Sequence, residues 1–161
     1  MTEADPAPGF DLTSLECTDS DEGGSGSITD ISSRTATINL EPGETVSCRF
    51  ENTQKGIIQV NKATIPAGKP DLFSFSLAGG PDTIFTEFSL TGDAPPFETT
   101  LKPGSYNVQE NPFEGWQLDT AVCDNGDHPS SITLTPGATI ACTFTNNQHF
   151  NIHLPIAIHT P

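Results

Sequence analysis

The chain has 161 residues, with 21 acidic against 6 basic side chains and a formal net charge of −15. Nucleic acid and anionic membrane surfaces are therefore poor partners, because a phosphate-binding footprint needs clustered Lys and Arg, and no apolar run approaches the roughly 20 residues of a membrane span. Fourteen Gly and 14 Pro punctuate the sequence and no segment sustains a 3.6-residue apolar period, so an all-β fold of short strands and turns is predicted rather than a helical one.

In chain order, Met1 to Pro8 is acidic and Pro-rich and is not a secretory signal; for an exported protein the signal is expected to be removed or to lie upstream. Gly9-Phe10-Asp11-Leu12 opens the first strand-like stretch, and Cys17 follows eight positions after Gly9. Thr18 to Arg34 reads as a Ser/Gly/Asp surface loop. Within it Asp19, Asp21 and Glu22 supply hard oxygen ligands at a density that makes a weak calcium candidate. A solvated acidic loop is the competing reading, since the rest of a helix-flanked calcium loop is missing. Ile38-Asn39-Leu40-Glu41-Pro42-Gly43 and Cys48-Arg49-Phe50-Glu51-Asn52-Thr53-Gln54 complete this part.

From there strands are predicted at residues 57–64, 72–77, 85–90, 97–101, 104–110, 116–123, 131–134 and 139–146. Turns are marked by Pro66-Ala67-Gly68, Gly79-Gly80-Pro81, Gly92-Asp93, Pro103-Gly104, Asn125-Gly126 and Pro136-Gly137. Seven or eight short strands at this spacing predict a two-sheet sandwich.

The most informative feature is self-similarity. Gly115-Trp116-Gln117-Leu118 with Cys123 repeats Gly9-Phe10-Asp11-Leu12 with Cys17. Ile132-Thr133-Leu134-Thr135-Pro136-Gly137 repeats residues 38–43, and Cys142-Thr143-Phe144-Thr145-Asn146-Asn147-Gln148 repeats residues 48–54. Upstream, Glu3 and Pro6 correspond loosely to Glu110 and Pro112. The two cysteine separations, 31 and 19 residues, differ by 12 residues that fall in the 18–34 loop; surface loops absorb such insertions cheaply. Residues 1–55 thus read as the back half of a repeat, 56–148 as a complete repeat, and 149–161 as a C-terminal apolar strand or tail.

Strand alternation adds one constraint. Ile58, Val60 and Lys62 share a face; so do Tyr106, Val108 and Glu110; so do Ile140, Cys142, Phe144 and Asn146. A Lys, a Glu and an Asn each continue a core-directed stripe. Buried charge must be paired or neutralised, which is most simply satisfied if the three meet.

The order strand-Lys, then Pro-Gly-x-Tyr-x-Val-x-Glu (Pro103 to Glu110) with Pro112 and Gly115-Trp116 behind it, then Phe144-x-Asn146, resembles the collagen-adhesin B-type repeat of bacterial surface and secreted proteins, in its cysteine-bearing variant. The resemblance implies an immunoglobulin-like, prealbumin-like β-sandwich. It also implies candidates for an intramolecular isopeptide bond: Lys62 as the amine, Asn146 as the carboxamide and Glu110 as the assisting acid. Two arrangements compete with the bond: a buried Lys62–Glu110 ion pair with Asn146 beside it, and three solvated strand-end residues. The half repeat offers Glu3 and Asn52 without a matching Lys.

Even, patterned cysteines point to disulfides and an oxidising, extracellular or cell-surface compartment. The expected pairs are Cys17–Cys48 and Cys123–Cys142. A metal site is the rival reading, but no Cys-x-x-Cys spacing exists and the four His are scattered or terminal. No cofactor is implied. No nucleophile elbow or phosphate loop appears, so no enzyme is predicted. Asp124, Asn125 and Asp127 are weaker calcium candidates still, and Trp116, the only Trp, reads as core. In the tail, Phe150, Ile152, Leu154, Ile156 and Ile158 share one phase, with Pro155 favouring an edge position. A half repeat at one end and a spare strand at the other predict a structural module of a fibre, pilus-like filament or stalk. Its partner would be a second copy or a neighbouring repeat, joined head to tail by strand complementation. The alternative function is a ligand-binding adhesin module.

Overall fold

The computed structural model describes residues 1–20, 26–92 and 94–149. The described residues form twelve strands and no helix: β1 (Phe10–Asp19), β2 (Ile28–Asp30), β3 (Thr35–Thr37), β4 (Val46–Gln54), β5 (Gly56–Ile65), β6 (Phe73–Gly79), β7 (Ile84–Leu90), β8 (Phe97–Leu101), β9 (Gly104–Glu110), β10 (Trp116–Cys123), β11 (Ile132–Leu134) and β12 (Thr139–Gln148).

Strands β5 to β12 make a sandwich of two four-stranded sheets, ordered β10-β12-β5-β8 and β11-β9-β6-β7. All neighbours are antiparallel except β12 and β5, the last strand and the first, which run parallel with Phe144 opposite Lys62 and Asn146 opposite Thr64. The alternation of the sequence becomes the alternation of burial: every second residue of β5 from Gly56 to Thr64 is buried, and Ile140, Cys142, Phe144 and Asn146 of β12 are buried in the same rhythm. Their apolar side chains meet Phe73, Phe75 and Leu77 of β6 and Tyr106 and Val108 of β9 in one core. Burial of this kind stabilises by about 1.5–3 kcal/mol for each large side chain. Gly80, at φ +73°, lies against the Tyr106 ring, so a side chain there would strike it. The Tyr106 hydroxyl in turn donates to the Lys102 carbonyl at 2.7 Å.

In the half repeat, β1 and β4 pair antiparallel as β10 and β12 do. The correspondence extends to register: Cys17 faces Cys48 and Cys123 faces Cys142, and the ladder slips after Leu12 and after Leu118, at matching positions. The insertion differs from its reading as a loop. Residues 28–30 pair with Thr35–Thr37 as a short hairpin, because the Asp30 carboxylate accepts hydrogen bonds from the backbone and hydroxyl groups of Ser32 and Ser33 and closes the turn. These bonds hold the Asp30 carboxyl below its usual value.

One residue, Lys55, separates β4 from β5. The two parts also touch through Lys102, whose ammonium lies 3.0 Å from Asp11 of the half repeat and 3.0 Å from Asp82. Hydrogen bonds to Asp11 and then Asp82 raise the Lys102 pKa.

Candidate functional site

Lys62, Glu110 and Asn146 come together inside the complete repeat. Lys62 projects inward because it is the seventh residue of β5, in phase with Ile58 and Val60. Glu110 ends β9, and Asn146 lies near the end of β12, in phase with Phe144. The Lys62 amine donates to Asn146 Oδ1 at 2.7 Å, and Asn146 Nδ2 donates to Glu110 Oε1 at 2.7 Å. Lys62 Nζ stands 3.7 Å from Glu110 Oε1. The Lys62 and Glu110 side chains are 0% and 3% exposed, so the cluster is not solvated.

Two more acceptors orient the amine, the carbonyls of Ala63 at 3.0 Å and Phe144 at 3.3 Å. The Phe73 ring covers it, with Nζ 4.2 Å from the ring centroid; Phe73 is itself packed against Phe113 and Trp116. Strand alternation in β6 places Phe73 inward with Phe75 and Leu77, but its position over the amine depends on how the sheets face each other. Thr64 is buried nearby, its hydroxyl without a hydrogen-bond partner.

Burial pushes the Lys62 pKa down, against the Coulombic pull of Glu110. Burial pushes the Glu110 pKa up, against Lys62 and the Asn146 hydrogen bond. Glu110 Oε2 is buried with no hydrogen-bond partner, which disfavours the carboxylate further. Both shifts favour a neutral amine beside a neutral acid. That pair carries the same number of protons as the ion pair, so it is reached by one internal proton transfer.

The shifts give a sign for stability when the three groups are not covalently joined. Glu110, raised above its ordinary 4.5, contributes stability at low pH that is lost as pH climbs through its folded value. Lys62, lowered from 10.5, contributes stability at high pH that is lost as pH falls through its folded value. The unlinked cluster therefore costs most near neutrality. In urea titrations against pH, an Asn146→Ala chain is expected to gain most near pH 7 from adding Lys62→Met and Glu110→Gln, and less at either flank. A gain independent of pH would contradict the shifts.

The other predicted site residues fall as follows. Cys17 and Cys48 form one disulfide and Cys123 and Cys142 the other, which leaves no free cysteine. Such bonds fit an oxidising compartment. Asp19 accepts from the backbone and hydroxyl of Ser27, while Asp21 and Glu22 lie outside the described residues, as do residues 150–161 of the tail. Asp127 closes a turn, accepting from Thr133 N and Asn125, which lowers its pKa; Asp124 accepts from Ala141 N. Trp116 packs on the core edge. Among the described residues no group of three His, Cys, Asp or Glu is placed to hold a metal, and no helix is long and apolar enough to cross a membrane.

The sequence matches the family described as the prealbumin-like fold domain over residues 1–54 and again over 58–148. The chain therefore belongs to the prealbumin-like fold domain family. No curated protein matches it. Among solved structures it is similar to the T-13 major pilin protein of Streptococcus pyogenes, at 14% identity and a TM-score of 0.37, over 91% of this chain and 64% of that one. A second major pilin from Streptococcus pyogenes overlaps at 15% identity and a TM-score of 0.36, over 91% and 67%. The chain thus spans less than two thirds of the first of these, and similarity at this identity and TM-score carries nothing about activity or partners.

Proposed function

We propose that the chain is a structural module that carries tension in an extracellular bacterial fibre or surface stalk, braced internally by an isopeptide bond between Lys62 and Asn146 and turning over no external substrate. The observation that carries this reading is the parallel pairing of the first and last strands of the complete repeat. Tension between neighbouring repeats enters at the start of β5 and leaves at the end of β12. Because these strands are parallel neighbours, it acts along their shared ladder, where many hydrogen bonds must fail together. A bond from Lys62 to Asn146 would cross that same ladder and leave residues 63–145 outside the load path.

The cluster has the parts for the bond. The neutral Lys62 amine attacks Cγ of Asn146, aided by desolvation. Glu110 takes a proton from the attacking nitrogen and gives one to Nδ2, the atom it already contacts. The Cγ–Nδ2 bond breaks, ammonia leaves and a secondary amide remains; no oxidant or cofactor is needed. The acidic surface supports solubility in a crowded exterior. Modules are taken to join head to tail by strand complementation, the apolar tail of 149–161 supplying a donor strand.

Two measurements test the reading. Under reducing conditions the intact mass should lie about 17 Da below the sequence mass, one ammonia having left; an unaltered mass rules out the bond. Sedimentation should show assemblies that grow with concentration and disappear when residues 149–161 are removed. A monomer at all concentrations rules out head-to-tail assembly.

A further inference from the structure

The connection from β10 to β11 opens with Asp124-Asn125-Gly126-Asp127. An asparagine followed by glycine is a chemically weak point in a polypeptide. Glycine has no side chain to keep its backbone nitrogen away from the carboxamide carbon of the residue before it. Asn125 and Gly126 are both exposed, so water and solvent base reach them. Gly126 also sits at φ +88°, a turn conformation that favours glycine.

The fold engages both of the groups that would react. The Gly126 N–H donates to Cys123 O at 3.1 Å. One residue pins both ends of the Asn125 carboxamide: Oδ1 accepts from Asp127 N at 3.0 Å, and Nδ2 donates to Asp127 Oδ2 at 2.9 Å. That same Oδ2 accepts from Thr133 N of β11 at 2.8 Å, and Cys123 N donates to Asp127 O at 3.3 Å. The turn is fastened in its turn to β12. Cys123 is bonded to Cys142, Asp124 N donates to Ala141 O at 3.0 Å, and Ala141 N donates to Asp124 Oδ1 at 3.0 Å. Asn125 and Gly126 therefore stay engaged for as long as this end of the β10–β12 pair stays closed.

We propose that the Asn125–Gly126 turn is a self-modification site, held inert by the closed, disulfide-bonded end of β10 and β12 and converted, once that end opens, to an aspartate or isoaspartate that keeps the turn from closing as before. In the open chain the Gly126 amide nitrogen gives its proton to solvent base and bonds to Cγ of Asn125. The Cγ–Nδ2 bond breaks, and the leaving nitrogen takes a proton from water and departs as ammonia. Water then opens the five-membered imide at one of its two carbonyls. No oxidant, cofactor or second protein is needed. Either product puts a carboxylate oxygen where Nδ2 donated to Asp127 Oδ2, so an attraction becomes a repulsion between like charges. Isoaspartate also adds a carbon to the backbone of the turn, between the two residues that Cys123 and Asp127 must bring together. Asp127 then holds Thr133 and β11 less well. The change runs one way, because water does not return the amide. A module whose disulfide-bearing end has opened is thereby marked for good.

The test follows the full chain in mildly alkaline buffer, folded and oxidised in one sample, unfolded in urea with its disulfides reduced in another. Peptide mapping reads the conversion as a gain of about 1 Da at Asn125. The imide itself lacks about 17 Da, but hydroxylamine splits it between residues 125 and 126 and leaves a Lys62–Asn146 amide intact, so the two deficits are read separately. Conversion should be at least about tenfold slower in the folded, oxidised chain, because only the small open fraction reacts. Reducing the disulfides without urea should raise the rate above that of the oxidised chain. Equal rates folded and unfolded, or no response to reduction, overturn the protection. The consequence is tested on a chain that starts in the converted state. Asn125→Asp should melt about 4–8 °C below the parent. Adding Asp127→Asn, which again sets an amide opposite a carboxylate, should recover most of that loss. An Asn125→Asp chain as stable as the parent, or a double variant without recovery, overturns the one-way effect.

Discussion

An Asn146→Ala chain should keep its full sequence mass and unfold on the order of 20 °C below the parent. The magnitude follows from loop closure. A bond between residues 84 apart in sequence restricts the unfolded chain by about 4–5 kcal/mol, and a domain near 100 residues loses about 4–8 °C per kcal/mol. The disulfide between Cys123 and Cys142 shortens the effective loop only modestly, because the segment it bypasses spans 19 residues. Lys62→Ala should behave alike. Glu110→Gln separates the bond from the packing: the amide keeps the size and most contacts of the acid but cannot shuttle the protons. It should therefore show an unaltered mass and a melting temperature close to that of Asn146→Ala. A Glu110→Gln chain that still lacks about 17 Da would mean that Glu110 does not assist. An Asn146→Ala chain melting within about 3 °C of the parent would mean that no cross-link of this size is lost.

Phe73→Ala is expected to cost about 3–5 kcal/mol, the range for emptying a fully buried aromatic site. Phe73 is 0% exposed and touches two other aromatic rings, Phe113 at 5.3 Å and Trp116 at 5.4 Å between centroids. A second effect distinguishes this position from other core sites. The ring lies over Lys62 Nζ, and its removal lets water reach the amine. Hydration restores the ammonium form and removes the nucleophile. Intact mass should then show a mixture of linked and unlinked chains. Phe73→Leu, which keeps the apolar cover at smaller cost, should show the linked form alone. Phe75→Ala, a buried site without contact to the amine, is the matching control for stability. Complete linkage in Phe73→Ala would show that the ring is not what keeps the amine dry.

Much of the architecture is legible in residue order. The predicted strands of the complete repeat agree with the observed ones within two residues at each end. This works because the Gly and Pro turns bound short runs with a period of two, and sheet packing reinforces rather than overrides that pattern. The internal repeat identifies which segments correspond, and the equal registers of β1 with β4 and β10 with β12 follow from it. The hairpin in the insertion was not legible: residues 28–30 carry a weak strand pattern, and their pairing depends on the Asp30 turn and on the neighbouring Thr35–Thr37 edge.

By itself the sequence determined the all-β class, the correspondence between its two repeated segments and the inward phase of Lys62, Glu110 and Asn146, because each is a matter of local period and repeated spacing. Only the tertiary structure decided that β5 and β12 lie side by side in parallel, that the three polar groups come within hydrogen-bonding reach, and that Phe73 covers the Lys62 amine. Those facts depend on pairing between strands some 80 residues apart, which no local pattern encodes. The structure also decided which copy of the repeated motif is covered. Leu40 and Leu134 occupy the same motif, and one is exposed and the other buried solely because the strands that cover Leu134 have no counterpart over Leu40 among the described residues.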